Sequence, residues 1–293
     1  MNYPKKSIRA YAKINLSLDI AGRRDDGYHL LKSIMQSVSL YDKVTVEKTD
    51  GDSIEVSTNL SYLATDRRNI AYLAAEYFLS ELNKKDGIKI DIEKNIPMGA
   101  GLAGGSADAA ATLFALNGIY GSPLGKEKLL EIGLRCGADV PFCMTGGTCL
   151  AEGLGEILTP LSPLPDCHIL IVKPKMSINT KSAFADYDKT VSTMHPKTDE
   201  IIKCLDSGNL HEISVRLYNV LENAVAPYYK ELNKYKGIML ECGALGSVMT
   251  GSGSAVFGIF TDSEKAEKAK KKFSRMKIAS FLTVPVNDII AGE

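Results

Sequence analysis

The chain has 293 residues, enough to bury a sizeable core and to form two domains around one cleft. Hydrophobic residues make up 45% and charged residues 24%, globular proportions that exclude a disordered or fibrous class. Lys+Arg and Asp+Glu number 35 each, so no global field draws the chain onto nucleic acid or an anionic membrane, and an anionic ligand has to be held by local chemistry.

Lys5, Lys6 and Arg9 lie near the N-terminus with no apolar run behind them, so neither a leader nor a membrane span is expected. Ser7–Ile20 alternates through Ile8, Ile14, Leu16, Leu18 and Ile20 and reads as a strand, as do Asp42–Glu47 and Ser53–Ser57. Asn69–Asn83 carries helical periodicity, and Gly87–Glu93 alternates strictly through Ile88, Ile90 and Ile92. Pro97–Gly105 is a glycine loop that leads into a short apolar helix, Ser106–Asn117, with Gly118 as its expected cap. A helix over Lys126–Cys136 and a strand over Gly146–Glu152 follow. Pro160, Pro163 and Pro165 punctuate the chain and mark the expected boundary between domains 1–160 and 161–293. Beyond it come a buried strand, His168–Val172, and a mostly helical region from Lys181 to Cys242. The end reads as Ser247–Thr250, a turn Gly251–Ser254, Ala255–Phe260, a helix Ser263–Arg275 and a strand Ile278–Val286. In that helix Ala266, Ala269, Phe273 and Met276 recur at helical spacing, so its lysines are a solvated face rather than a nucleic-acid patch. The fold class is α+β, the second part a small antiparallel sheet covered by helices. The six cysteines form no CxxC pair and the four histidines no zinc spacing, which reads as the reduced thiols of a cytoplasmic protein.

From Gly99 to Ala111 only Leu102, Ser106 and Asp108 are neither Gly nor Ala. Backbone amides reach polyphosphate oxygens where side chains are absent, and the helix that follows presents unpaired amides and a favourable dipole. Two readings are open here: a phosphate cradle, or a tight turn into a small-residue helix packed on a sheet. Gly99-Ala-Gly101-Leu-Ala-Gly104 matches a dinucleotide fingerprint, but the acidic strand end required roughly 20 residues on falls in the turn Gly121–Lys128. Gly121–Glu127 resembles a P-loop but is one residue short, with Glu127 where a magnesium-binding hydroxyl belongs.

Three segments occur in order: Ala10-Tyr-Ala-Lys13-Ile-Asn15-Leu, Pro97-Met98-Gly99-Ala100-Gly101-Leu102-Ala103-Gly104-Gly105-Ser106, and Met249-Thr-Gly251-Ser252-Gly253-Ser-Ala-Val-Phe257. Two more accompany them, Gly22–Leu30 with Gly27-Tyr28-His29, and Gly137-Ala-Asp139-Val-Pro-Phe142. The set resembles the GHMP kinases, the family of galactokinase, homoserine kinase and mevalonate kinase. The resemblance implies a two-domain fold, with a ribosomal-S5-like N-terminal domain and a ferredoxin-like C-terminal domain around the active site. It implies ATP and Mg²⁺ as cofactors, with no protein ligand assigned to the metal; Ser106 is a candidate. The Tyr28-His29 pair implies a small-molecule partner, a cytidine diphosphate-linked methylerythritol, rather than the acceptors of the homoserine or mevalonate type. The expected protein is a monomer or weak homodimer that binds neither nucleic acid nor membrane. A catalytically inactive GHMP-fold binding protein is the alternative from another class.

The resemblance places the ATP phosphates on Pro97–Ser106, a general base at Asp139 and its partner at Lys13. Taken alone, Asp139 reads as a capping or salt-bridged carboxylate, and Lys13 as a lysine facing solvent from an edge strand. Asn15 shares a strand face with Lys13, and its alternatives are a substrate contact or a ladder-side hydrogen bond. Tyr28 and His29 are implied for the nucleobase, by stacking and by a hydrogen bond, or they anchor a loop. Thr180 and Phe184 are implied to close that pocket, although Phe184 equally suits a helix core. Gly251, Ser252 and Gly253 are implied near phosphate or read as a plain hairpin turn. Ala103 stands where the family commonly has glycine, which is tolerable unless that position requires positive φ.

Overall fold

The structure is a computed structural model and describes residues 3–190, 194–225 and 230–287. Its first sheet is built on a long antiparallel pair, β1 (Lys5–Arg23) and β2 (His29–Thr49). Both exceed the expected strands. Ser33–Val38 is buried on both faces, so the first half of β2 lacks the alternation that reveals its second half. β3 (Ile54–Thr58) runs parallel to β4 (Gly87–Glu93), and β4 pairs with the second half of β2. β5 (Thr148–Gly153) pairs with the first half of β2, and β6 (Ile157–Pro160) pairs with β5. β5 starts later than expected because Gly146 and Gly147 both take φ near +70°, outside strand geometry.

Helices α1 (Ile70–Glu81), α2 (Gly104–Ile119) and α3 (Lys126–Cys136) form the layer packed with this sheet. Asn69 caps α1 by accepting from the Ala71 amide. α2 buries Ala107, Ala110 and Ala111 beside Leu113 and Leu116, with Ile14, Leu16, Ile88, Ile90 and Ile92 in the same core. Two expectations about this helix fail. Gly118 lies inside it, where its missing side chain leaves room for Lys6, and Gly121 past the end takes the left-handed position. The helix also starts two residues earlier than expected, at Gly104, with Ala103 as its N-cap and Ser106 in the first turn. A short helix, α4 (Val140–Thr145), was not expected, although Asp139 followed by Pro141 is a helix-start signal.

After Pro160 the chain enters a second, wholly antiparallel sheet of order β11 (Ala279–Thr283), β7 (His168–Lys173), β10 (Val256–Phe260), β9 (Gly246–Met249). Helices α9 (Lys230–Glu241) and α10 (Ser263–Arg275) supply Leu232, Met239, Ala266, Ala269 and Phe273 to its core. Met276, expected in the stripe of α10, is instead its exposed C-cap. Between β7 and β9 lie α5 (Thr180–Tyr187), α6 (Thr198–Asp206), α7 (Leu210–Val215), β8 (Tyr218–Asn219) and α8 (Val220–Val225). Residues 191–193 and 226–229 of the expected helical region fall outside the described residues. β8 pairs in parallel with Ser17 and Leu18, so β1 is an interior strand of the first sheet and Lys13 does not face solvent from an edge.

Candidate active site

Lys13 and Asn15 point to one face of β1, two residues apart. Register shifts at Tyr11/Ala12 and Asn15/Ser17 bracket the segment, bulges of the kind that re-aim side chains next to active sites. The Lys13 ammonium, 5% exposed, donates to Asn15 Oδ1 at 2.8 Å and to the Gly101 carbonyl at 3.1 Å. It lies 3.8 Å from Asp139 Oδ2 at the start of α4. Asp139 makes no capping bond, and its side chain is 34% exposed toward the cleft.

The glycine loop is held from both sheets. The Lys13 amide donates to the Leu102 carbonyl at 3.1 Å, and the Ala255 amide to the Ala100 carbonyl at 3.2 Å. Gly99, Gly101 and Ala103 adopt positive φ of 58°, 76° and 55°. The sequence condition on Ala103 is therefore met: its methyl sits on a left-handed backbone that glycine would occupy without strain. The first bonded amide of α2 is that of Ala107, to the Ala103 carbonyl, so those of Gly104, Gly105 and Ser106 precede the helical ladder and suit an anion.

Beneath the loop lies a buried charge cluster that the sequence reading missed. Lys94 Nζ donates to Asp108 Oδ2 at 2.6 Å and to Asp42 Oδ2. Asp42 Oδ1 accepts from the amides of Asn95 and Ile96 at 2.5 and 2.8 Å, which fixes the approach to Pro97. Burial draws the Lys94 ammonium downward, but the carboxylates of Asp108 and Asp42 outweigh it and raise it overall. Burial pushes Asp108 up to about 8, and its Oδ1 has no partner. Two carboxyl groups share one ammonium here, and Asp108, deep in the core and with fewer hydrogen bonds than Asp42, is the one that burial raises. The sequence signal was an acid set alone among alanines.

Thr250 joins the lysine-bearing strand motif, the glycine loop and the Gly251–Gly253 turn. Its Oγ1 accepts from the Asn15 amide at 3.1 Å and donates toward Asn15 Oδ1 and the Gly101 carbonyl at 3.2 and 3.4 Å. Gly101 must be glycine, since a Cβ there would lie 2.2 Å from the Thr250 carbonyl oxygen. Asn219, also missed, donates to the carbonyls of Met249 and Gly251 at 2.8 Å each and so holds the Gly251–Gly253 turn.

At the far end, a turn closed by Arg24 and Gly27 presents Tyr28, 64% exposed. The His29 imidazole stacks on Phe184 at 5.0 Å and 23°, and its Nε2 lies 2.7 Å from Asp188 Oδ1. Thr180 opens α5 and shares a 2.9 Å hydrogen bond with Ser252. Every residue expected at the site lines one cleft of about 1250 Å³: Lys13, Asn15, Tyr28, His29, Pro97–Ser106, Asp139, Thr180, Phe184 and Gly251–Gly253. Among the described residues, no helix is long and apolar enough to cross a membrane, and no three His, Cys, Asp or Glu side chains cluster as metal ligands. All six cysteines are free, and burial pushes the thiols of Cys136 and Cys149 up to about 11.

This cleft, with a glycine loop feeding a helix between two sheets, is that of a GHMP kinase: residues 69–147 match the GHMP kinases N terminal domain and 201–279 the GHMP kinases C terminal. Solved structures share the fold over nearly the whole chain. A homoserine kinase from Cytophaga hutchinsonii aligns with a TM-score of 0.78 at 21% identity, covering 99% of this chain and 97% of its own, a likeness of fold. A crystal structure of 4-(cytidine 5'-diphospho)-2C-methyl-D-erythritol kinase aligns with a TM-score of 0.83 at 31% identity over 96% of this chain and 100% of its own. The 4-diphosphocytidyl-2-C-methyl-D-erythritol kinase of Clostridium botulinum is 47% identical over 94% of this chain and 98% of its own. That of Caldicellulosiruptor saccharolyticus is 46% identical over 97% and 94%. The chain belongs to the 4-diphosphocytidyl-2-C-methyl-D-erythritol kinase family.

Proposed function

We propose that the protein transfers the γ-phosphoryl group of ATP to the 2-hydroxyl of 4-diphosphocytidyl-2-C-methyl-D-erythritol, a step of the non-mevalonate isoprenoid pathway. The observation that carries this reading is the Lys13–Asp139 pair, 3.8 Å apart, beside the glycine loop in a cleft whose other end holds Tyr28 and His29. Asp139 takes the proton of the acceptor hydroxyl as its oxygen bonds to the γ-phosphorus. The bond from that phosphorus to the bridging oxygen breaks, and ADP leaves with the electron pair. Lys13 lies beside the Asp139 carboxylate and, fixed by Asn15 and the Gly101 carbonyl, turns its charge toward the reacting oxygens. The amides of Gly104, Gly105 and Ser106 receive phosphate oxygens. Tyr28 and Phe184 offer ring faces to the cytosine and His29 a hydrogen bond, while Gly251–Gly253 approaches the diphosphate.

Bound Mg²⁺ would supply charge neutralisation to the phosphates of ATP, and Ser106, in the first turn of α2 and lining the cleft, is the hydroxyl that would help to hold it. The same reading puts the chain in the cytoplasm as a monomer or weak homodimer acting on a diffusible small molecule, without nucleic acid or membrane. It divides near Pro160, where β6 ends and the next strand joins the other sheet.

The test is ADP release with Mg·ATP and the cytidine acceptor, beside homoserine and mevalonate, for the wild type and Asp139→Asn. Turnover confined to the cytidine acceptor, with kcat lowered roughly 10²- to 10⁴-fold in the variant, is expected. No turnover with that acceptor sinks the substrate, and a variant within threefold of wild type sinks the base.

A further inference from the structure

We infer that Asp188 is a positioning residue that sets the tautomer of His29 and thereby makes the nucleobase end of the cleft select cytosine over uracil; this rests on the reading of the substrate as a cytidine diphosphate ester. The imidazole of His29 is gripped on a face and an edge by one helix. Phe184 stacks on it at 5.0 Å and 23°, and Asp188, one helical turn further on, meets its Nε2 at 2.7 Å. Positions i and i+4 share a helix face, so a single rigid element delivers both contacts. The placement of Asp188 is itself fixed. Its amide donates to the Phe184 carbonyl at 3.0 Å, closing the end of α5, and its other carboxylate oxygen lies 3.7 Å from the Arg23 guanidinium. Tyr187 packs edge-on against the same ring at 6.3 Å and 88°. The His29 side chain is left only 11% exposed.

An ionised carboxylate can only accept, so the hydrogen bond at Nε2 requires that this nitrogen carry the proton. In the neutral ring Nδ1 is then the lone-pair nitrogen. Nδ1 has no hydrogen-bond partner among the described residues, and His29 lines the cleft beside Tyr28. An acceptor in that place pairs with the exocyclic amine of cytosine and opposes the carbonyl that uracil carries at the same ring position. Removing Asp188 frees the ring to adopt the other tautomer, which donates from Nδ1 and accommodates the uracil carbonyl. Specificity for the base is thereby set by a residue that does not touch it.

The experiment has two arms. The first uses wild-type protein alone: ¹⁵N NMR of the ring nitrogens, with the His29 signal assigned by its loss in His29→Gln. The Nε2-protonated form is expected, and a ring protonated at Nδ1 instead overturns the inference without reference to any variant or substrate. The second arm compares kcat and KM of wild type and Asp188→Ala for the cytidine acceptor and its uridine counterpart. Wild type is expected to prefer the cytidine acceptor by roughly 10- to 100-fold. In Asp188→Ala the KM for that acceptor should rise about tenfold while kcat and the KM for ATP stay within about twofold, and the preference should fall at least fivefold. Equal loss with both acceptors, the preference intact, would reduce Asp188 to a support of α5 and overturn the selectivity. A wild type that uses neither acceptor overturns the substrate reading and the selectivity with it, while the NMR arm still decides the hydrogen-bond assignment.

Discussion

Gly101→Ala tests the junction on which the cleft depends. The new Cβ would lie 2.2 Å from the Thr250 carbonyl oxygen, 3.1 Å from its carbon and 3.2 Å from the Gly253 amide nitrogen, all backbone atoms that no side-chain rotation can clear. The glycine loop and the Gly251–Gly253 turn must separate by about 1 Å or more before the pair reaches van der Waals contact. The backbone φ of 76° adds a second cost. A left-handed conformation disfavours an L-residue by roughly 1–2 kcal/mol, and overpacking of this kind costs roughly 1–3 kcal/mol, so a loss of about 2–5 kcal/mol is expected. The Gly101 carbonyl also receives Lys13 Nζ at 3.1 Å, so the movement loosens the ammonium next to Asp139. A misplacement of that size lowers kcat on the order of 10²-fold. Urea unfolding gives the first quantity and steady-state ADP release the second. The matched comparison is Gly237→Ala in α9, where the added methyl meets nothing within 4 Å beyond its own stretch of helix backbone. The same chemical change should stabilise there by about 0.5–1 kcal/mol. If Gly101→Ala unfolds within about 0.5 kcal/mol of wild type and keeps kcat within twofold, the reasoning is refuted.

Lys94→Met removes the cation on which the buried side chains of Asp42 and Asp108 converge, leaves the Asp42 charge uncompensated, and should cost about 3–5 kcal/mol by urea unfolding at pH 7. Asp108 gives a pH signature. Its folded value of about 8 lies above the ordinary carboxylate value of 3.8, so its contribution is fully present below about pH 4 and lost as pH rises toward 8. Wild-type stability should therefore fall more steeply between pH 5 and 8 than that of Asp108→Asn; parallel curves would remove the cluster from the account. Asn219→Ala strips hydrogen bonds from the carbonyls of Met249 and Gly251 and should lower stability by about 1–3 kcal/mol, with a raised KM for the acceptor in steady-state kinetics. Ala103→Gly should raise stability by about 0.5–1 kcal/mol in thermal unfolding, because relief at φ 55° exceeds the added entropy of the unfolded chain.

Elements with one buried face were legible in the sequence. Gly87–Glu93, Lys126–Cys136 and Ser263–Arg275 coincide with β4, α3 and α10, because each shows the core a regular stripe of period 2 or 3.6. The same local logic reads the glycine loop, where composition by itself announces close backbone approach. The first half of β2 was not legible, since burial on both faces erases the pattern, and neither was the left-handed backbone of Ala103, which no neighbouring residue signals. What tertiary structure alone decided are the encounters. Asn15 and Thr250 meet across 235 positions, His29 and Asp188 across 159, and Lys94 finds two acids on separate elements. The sequence names the residue types at each motif. Which carboxylate meets which cation, and which nitrogen of a histidine is left to accept, depends on strand register and helix placement, and these are settled only when the whole core packs.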